Sequence, residues 1–130
     1  MSKDGLAGVD WPNHVPAHCP PPDAVPPSGF VYRLVETIPA TAEDMKSAYE
    51  NGSFPRKDPC LRVALSCSCS PEYLEDLRRS VPRLKHRVIA VASLDHTHGV
   101  MKQTGAVGHH SLWLFGTVLP GAHLLFGAFP

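Results

Sequence analysis

The stretch HRVIAVASL, His86–Leu94, decides how this chain folds. From Val88 to Ala92 every side chain is apolar, with no polar residue alternating to face water. A run of this kind predicts a central β-strand covered on both faces. The elements on either side must then supply two covering layers.

Upstream lies SPEYLEDLRRSVP, residues 70–82. It reads as a helix: Ser70 caps it, Pro71 takes the first helical position, and Pro82 stops it. Leu74, Leu77 and Val81 form the buried stripe. Before it, LRVALSC (61–67) reads as a strand. TAEDMKSAYENG (41–52) reads as a second helix. Thr41 caps it, Glu43 and Asp44 sit at its positive end, Met45, Ala48 and Tyr49 share a face, and Gly52 ends it. FVYRLV (30–35) alternates as a strand, with Phe30, Tyr32 and Leu34 on one face and Val31, Arg33 and Val35 on the other. Arg33 thus falls on an otherwise apolar face. A buried guanidinium needs an acidic partner such as Glu72 or Glu75, backbone carbonyls, or a bound anion.

Downstream, HSLWLFGTV (110–118) and AHLLFGAF (122–129) read as two strands joined into a hairpin at LPGA. Both faces of that hairpin are apolar: Leu112, Leu114, Leu124 and Phe126 oppose Trp113, Phe115, Leu125 and Phe129. It needs cover from an N-terminal arm anchored by Trp11 or from a second copy of the chain. Residues 1–29 form that arm, too rich in proline for a helix or a central strand. Residues 30–130 form one α+β domain, a mixed or antiparallel sheet of about five strands with two helices.

Composition narrows the function. The 130 residues are 43% hydrophobic and 18% charged, as in a globular domain. Lysine plus arginine equals aspartate plus glutamate at 12 each, so no overall field draws nucleic acid or an anionic membrane. No apolar run reaches the length of a membrane span, and the N-terminus lacks a signal peptide's apolar core. These features predict a cytoplasmic protein whose four cysteines, Cys19, Cys60, Cys67 and Cys69, are thiols. The C-x6-C-x-C spacing of the last three is not that of a zinc knuckle.

Chemistry concentrates in DHTHGVMKQTGAVGHHSLW, residues 95–113, read as a loop leading into a strand. It carries four of the eight histidines: His96, His98, His109 and His110. Asp95, His96 and His98 could share a divalent ion, but their spacing matches neither a zincin helix nor a finger, so no zinc site is expected. Histidine transfers protons near neutral pH, which makes His98 and His110 the candidate catalytic residues. Lys102 in a glycine-flanked segment is a candidate phosphate ligand.

From residue 30 onward, over about 90 residues, the layout of VYRLV, ALSCS and SPEYLEDLRRSVP resembles ADP-ribosyltransferase-type folds. It is also similar to small bacterial proteins that join a Tyr-Arg strand, a Leu-Ser strand and a late HH-[ST]-x-W segment. The resemblance implies that Arg33 reaches the phosphates of NAD and that Ser66 or Ser68 opens the nicotinamide pocket. It also implies a late glutamate that steadies the ribosyl cation. Here the last glutamate is Glu75, so Asp95 or a histidine would have to stand in. The expected protein is a small NAD- or nucleotide-using transferase or hydrolase, with cofactor contacts from Arg33, Ser66 and Lys102. The alternative is a non-enzymatic interaction module of a toxin–antitoxin or phage-related pair, suggested by the proline arm and the apolar end HLLFGAFP. A structural metal protein is third.

Overall fold

The computed structural model describes residues 10–130; the first nine residues of the arm lie outside it. In chain order the elements are β1 (Gly29–Val35), α1 (Pro59–Arg62), β2 (Leu65–Cys67), α2 (Pro71–Ser80), β3 (Val88–Leu94), β4 (Gly99–Gln103), β5 (His110–Leu114) and β6 (Gly127–Ala128). The chain is α+β, with six strands in two antiparallel sheets in place of one sheet of about five. One has the order β1-β3-β6 and the other β2-β5-β4. They meet where Tyr32 and Ser68 exchange backbone hydrogen bonds of 2.8 and 2.9 Å.

The strand at 88–94 sits in the middle of its sheet, with Gly29↔Leu94 to Val35↔Val88 in register on one side and β6 on the other. Ile89, Ala90, Ala92 and Leu94 are buried. β1 turns its Val31 and Val35 face inward and leaves Phe30 64% exposed. Arg33 therefore lies on the core side of its strand. From β5, Leu112 and Leu114 join Val31, Val35, Leu65, Cys67 and Phe126 in one apolar core.

Helix α2 forms as its caps predict, with Ser70 Oγ accepting from the Tyr73 N–H and Leu74 buried. The helix expected at 41–52 does not form. Only a 3-10 turn, Ala42–Met45, is present. The reason lies in competing acceptors and donors. Arg33 takes the Asp44 carbonyl that the next helical N–H would need, and the Glu50 side chain takes the Ser47 N–H.

The strand expected at 61–67 keeps only Leu65–Cys67. Asp58 and Pro59 instead start the single turn α1, Asp58 accepting from Cys60 N and Leu61 N. The expected C-terminal hairpin is also absent. After β5 the chain makes a 3-10 turn, Leu119–Leu124, with Pro120 in its first turn, and β6 crosses to β3 in the other sheet. This crossing buries Ala122 and Phe126 between the sheets. The real hairpin is β4–β5, inside the histidine-rich stretch read as a loop.

The cysteines are not four thiols. Cys19 and Cys60 form a disulfide across 41 residues, with Cα atoms 5.5 Å apart. Cys67 is a buried thiol and Cys69 an exposed one. The disulfide ties residues 10–28 to a second apolar cluster built on Trp11, Val63, Val100 and Trp113. There Trp11 packs edge-on against Phe115 at 5.0 Å. Val25 exchanges backbone bonds with Met101 and so lies along the free edge of β4. No helix among the described residues is long and apolar enough to cross a membrane.

Candidate functional site

Where β1 and β2 meet, the two sheets part and leave a cleft of about 360 Å³. That volume is at the lower end of the range for small-molecule sites. Its floor is Arg33. The guanidinium donates to the Asp44 carbonyl from Nε (3.0 Å) and Nη2 (2.8 Å), and to the Ser66 carbonyl from Nη1 (2.6 Å). Of the three partners the sequence allows, Arg33 takes backbone carbonyls. Glu75 pairs instead with Arg78, at 2.7 Å, and Glu72 accepts from Ser70 Oγ. Among the described residues no carboxylate comes within ion-pair distance of Arg33. Burial lowers the hold of Arg33 on its proton and Arg87 adds to that, while Cys67 and Asp44 act against it. An arginine remains charged under such a shift. The same burial pushes the Cys67 thiol up to about 12, so it stays protonated behind the guanidinium.

Lys46, Lys57, Arg83 and Arg87 join Arg33 around the cleft, and among the described residues no aspartate or glutamate lines it. Lys46 pairs with Glu43 at 2.9 Å and Arg87 with Glu36 at 2.9 Å, both acids outside the lining. Lys57 and Arg83 make no ion pair among the described residues. The wall is apolar where Leu65, Leu74, Leu77 and Leu84 contribute. A chain of zero net charge thus concentrates positive charge in one concave place, where low-dielectric walls focus the field.

At the mouth, Ser66 and His109 form a directed pair. Ser66 is the exposed middle residue of β2. Its Oγ lies 3.1 Å from His109 Nε2, and His109 Nδ1 lies 2.9 Å from the Thr104 carbonyl. A carbonyl only accepts, so Nδ1 carries the proton and Nε2 is free to accept from the Ser66 hydroxyl. Partial burial lowers the His109 pKa below its ordinary value. Lys57 and His110 push it the same way, while the bond to Thr104 opposes them. The imidazole is therefore neutral at pH 7 and fit to act as a base. Thr104 Oγ1 extends the chain to Ser111 Oγ at 2.8 Å.

The fold fixes this pair from both sides. Ser66 faces Ser111 in the β2–β5 register, and His109, two residues before Ser111, shares its face. Gly108, at φ +97°, lies under the Tyr73 ring: a Cβ there would sit 2.6 Å from Tyr73 Cδ1. Helix α2 thereby holds the turn that carries His109.

The sequence-derived candidates divide. Arg33 and Ser66 meet in the cleft. His98, His110 and Lys102 do not line it. His98 closes a turn, accepting from the Asp95 N–H at Nδ1. His110, next to His109, points to the other face of β5 in register with Cys67, and its buried Nδ1 has no hydrogen-bond partner among the described residues. Lys102 reaches across β4 to Asp23 at 2.8 Å and lowers that carboxyl's pKa. Ser68 is fully buried and bonds Ser70. Among the described residues no three metal-ligating side chains gather, Asp95, His96 and His98 included.

Sequence reasoning missed His109, Lys57 and Arg83 as site residues. For His109 a signal existed: a β4–β5 hairpin ending at TGAVGH puts residues 109 and 111 on one face. For Lys57 and Arg83 the chain offers no local signal. No family model, curated protein or solved structure matches the chain.

Proposed function

We propose that the cleft binds a phosphate-bearing nucleotide and that the protein is a small transferase or hydrolase acting on it. NAD is the candidate that the resemblance supplies. One observation carries the reading: five cationic side chains surround a concave site with no carboxylate in its lining among the described residues. Lys57 and Arg83, free of ion pairs among the described residues, are the phosphate contacts. Arg33 lends charge from the floor, and the leucine wall takes a base or nicotinamide ring. His109 takes the proton-carrying role first assigned to His98 and His110, in the place of the missing late glutamate.

Titration with ADP, ADP-ribose and NAD at low salt tests this. A Lys57→Ala, Arg83→Ala double variant should lose about tenfold or more in affinity, since charge-assisted phosphate contacts contribute on this scale. Binding that is absent, or equal in wild type and variant, contradicts the reading. The compartment follows the sulfur chemistry. The sequence suggests the cytoplasm, whereas the Cys19–Cys60 disulfide favours an oxidising compartment.

A second reading, an interaction module, is favoured by Phe30, 64% exposed on the same face of β1 as Tyr32, whose ring meets Phe129 at 5.3 Å. If a second copy covers this face, Phe30→Ser should convert a dimer to a monomer by mass measurement. A wild-type monomer would remove a homodimer.

A further inference from the structure

We infer that Ser66 is a nucleophile with His109 as its base, and that the cleft transfers the phosphoryl group of a phosphate ester through a covalent Ser66 intermediate. The substrate class rests on reading the cleft as a phosphate site. The chemistry rests on the geometry of Ser66, His109 and Thr104.

A serine hydroxyl is a weak nucleophile until a base takes its proton, and that base must be held in one orientation by a third group. All three parts are present. Ser66 Oγ is exposed, His109 Nε2 stands 3.1 Å away, and the Thr104 carbonyl fixes the ring through Nδ1 at 2.9 Å. The orienting group is a backbone carbonyl, so it is always an acceptor and never titrates. Arg33 holds the Ser66 carbonyl at 2.6 Å, which keeps β2 in place beneath the hydroxyl. A serine that merely satisfies a histidine does not explain why the pair lines a cleft whose charged side chains, among the described residues, are all positive.

Ser66 Oγ forms a bond to phosphorus while the bond from phosphorus to the leaving oxygen breaks. The hydroxyl proton passes to His109 Nε2 and from there to the leaving oxygen. Water then gives a proton to Nε2 and its oxygen attacks phosphorus, breaking the Oγ–P bond. The proton returns to Oγ, and inorganic phosphate leaves. Lys57 and Arg83 are placed to offset charge on the phosphoryl oxygens.

A fluorophosphonate probe tests the nucleophile directly, since Oγ–P formation expels fluoride and needs the same base. Intact-mass measurement should show one label, mapped to Ser66 and absent from Ser66→Ala. His109→Gln should slow labelling by about 100-fold or more. Should that variant fail to fold, the pH profile of the wild type gives the same answer. The rate should rise through one ionisation below the ordinary imidazole value. The groups facing His109 are Lys57, His110, Ser66 and, through Gly108, Tyr73. Labelling at another residue, or a rate indifferent to both His109 and pH, overturns the nucleophile. Phosphate and ADP binding are measured separately. Binding without labelling overturns the nucleophile alone. Labelling without binding supports the nucleophile and overturns the phosphate-ester substrate.

Discussion

The cleft and the Asp95–Lys102 segment both combine charge with imidazole, yet they are built on opposite terms. In the segment the side chains of Asp95, Thr97, His98 and Lys102 are spent on neighbours. Asp95 accepts from the Thr97 N–H and hydroxyl, chiefly for that reason holding its carboxyl below the ordinary range; His98 caps the same turn; Lys102 pairs with Asp23. In the cleft, Lys57 and Arg83 lack acidic partners among the described residues, Arg33 donates to the Asp44 and Ser66 carbonyls, and Ser66 and His109 are joined in one direction toward solvent. Density of functional residue types marks the first region. Charge left without countercharge in a concave place marks the second, and it is the better sign of a ligand.

The sharpest way to break this comparison is to remove one histidine from each region. His109→Gln should slow labelling of Ser66 by about 100-fold or more, whereas His98→Gln should change it less than about twofold. Equal effects would erase the distinction. Stability should divide differently. Cys60→Ser opens the disulfide that ties residues 10–28 to the body, and denaturant unfolding should show a loss of about 2–4 kcal/mol. Neither Cys19 nor Cys60 lines the cleft, so nucleotide affinity measured under native conditions should hold. A loss of affinity would mean that the tie shapes the cleft.

Gly108→Ala should cost about 1–2 kcal/mol in the same unfolding measurement, from its positive φ and its contact with Tyr73. It should also slow labelling by shifting His109. Unchanged labelling would free His109 from α2. The smallest effect concerns pH. The folded-state pKa of His109 lies below the unfolded value, so its contribution is complete above the unfolded pKa. It is lost as pH falls from there toward the folded pKa. Unfolding at about pH 7.5 and 5.5 should therefore show a drop that His109→Gln reduces; an identical drop would place the sensitivity elsewhere.

Much of the fold was legible where local signals agree. HRVIAVASL is a central strand because burial on both faces needs no alternation. Ser70 and Pro71 start α2 because cap and first-turn chemistry are local. The errors arose where a distant group overrode local preference. The segment 41–52 has a helix's caps and face, but Arg33, on the preceding strand, takes the Asp44 carbonyl. The C-terminal apolar runs suggest a hairpin, but β3 offers an open edge, and β6 pairs there. Arg33 and Ser66 could be read as site residues from their strands and the resemblance they carry. Choosing His109 over His98 and His110 required the β4–β5 register, which the glycines of the segment obscure.

The central claim is that the ligand site is the cleft and not the histidine-rich segment. A ¹H–¹⁵N titration of the wild-type chain with ADP, carried to about 1 mM, tests it most directly. The account predicts saturable shifts at the amides of Lys57, Ser66, Arg83 and His109, with those of Asp95–Lys102 unmoved. Shifts centred on Asp95–Lys102, or none anywhere, would contradict it.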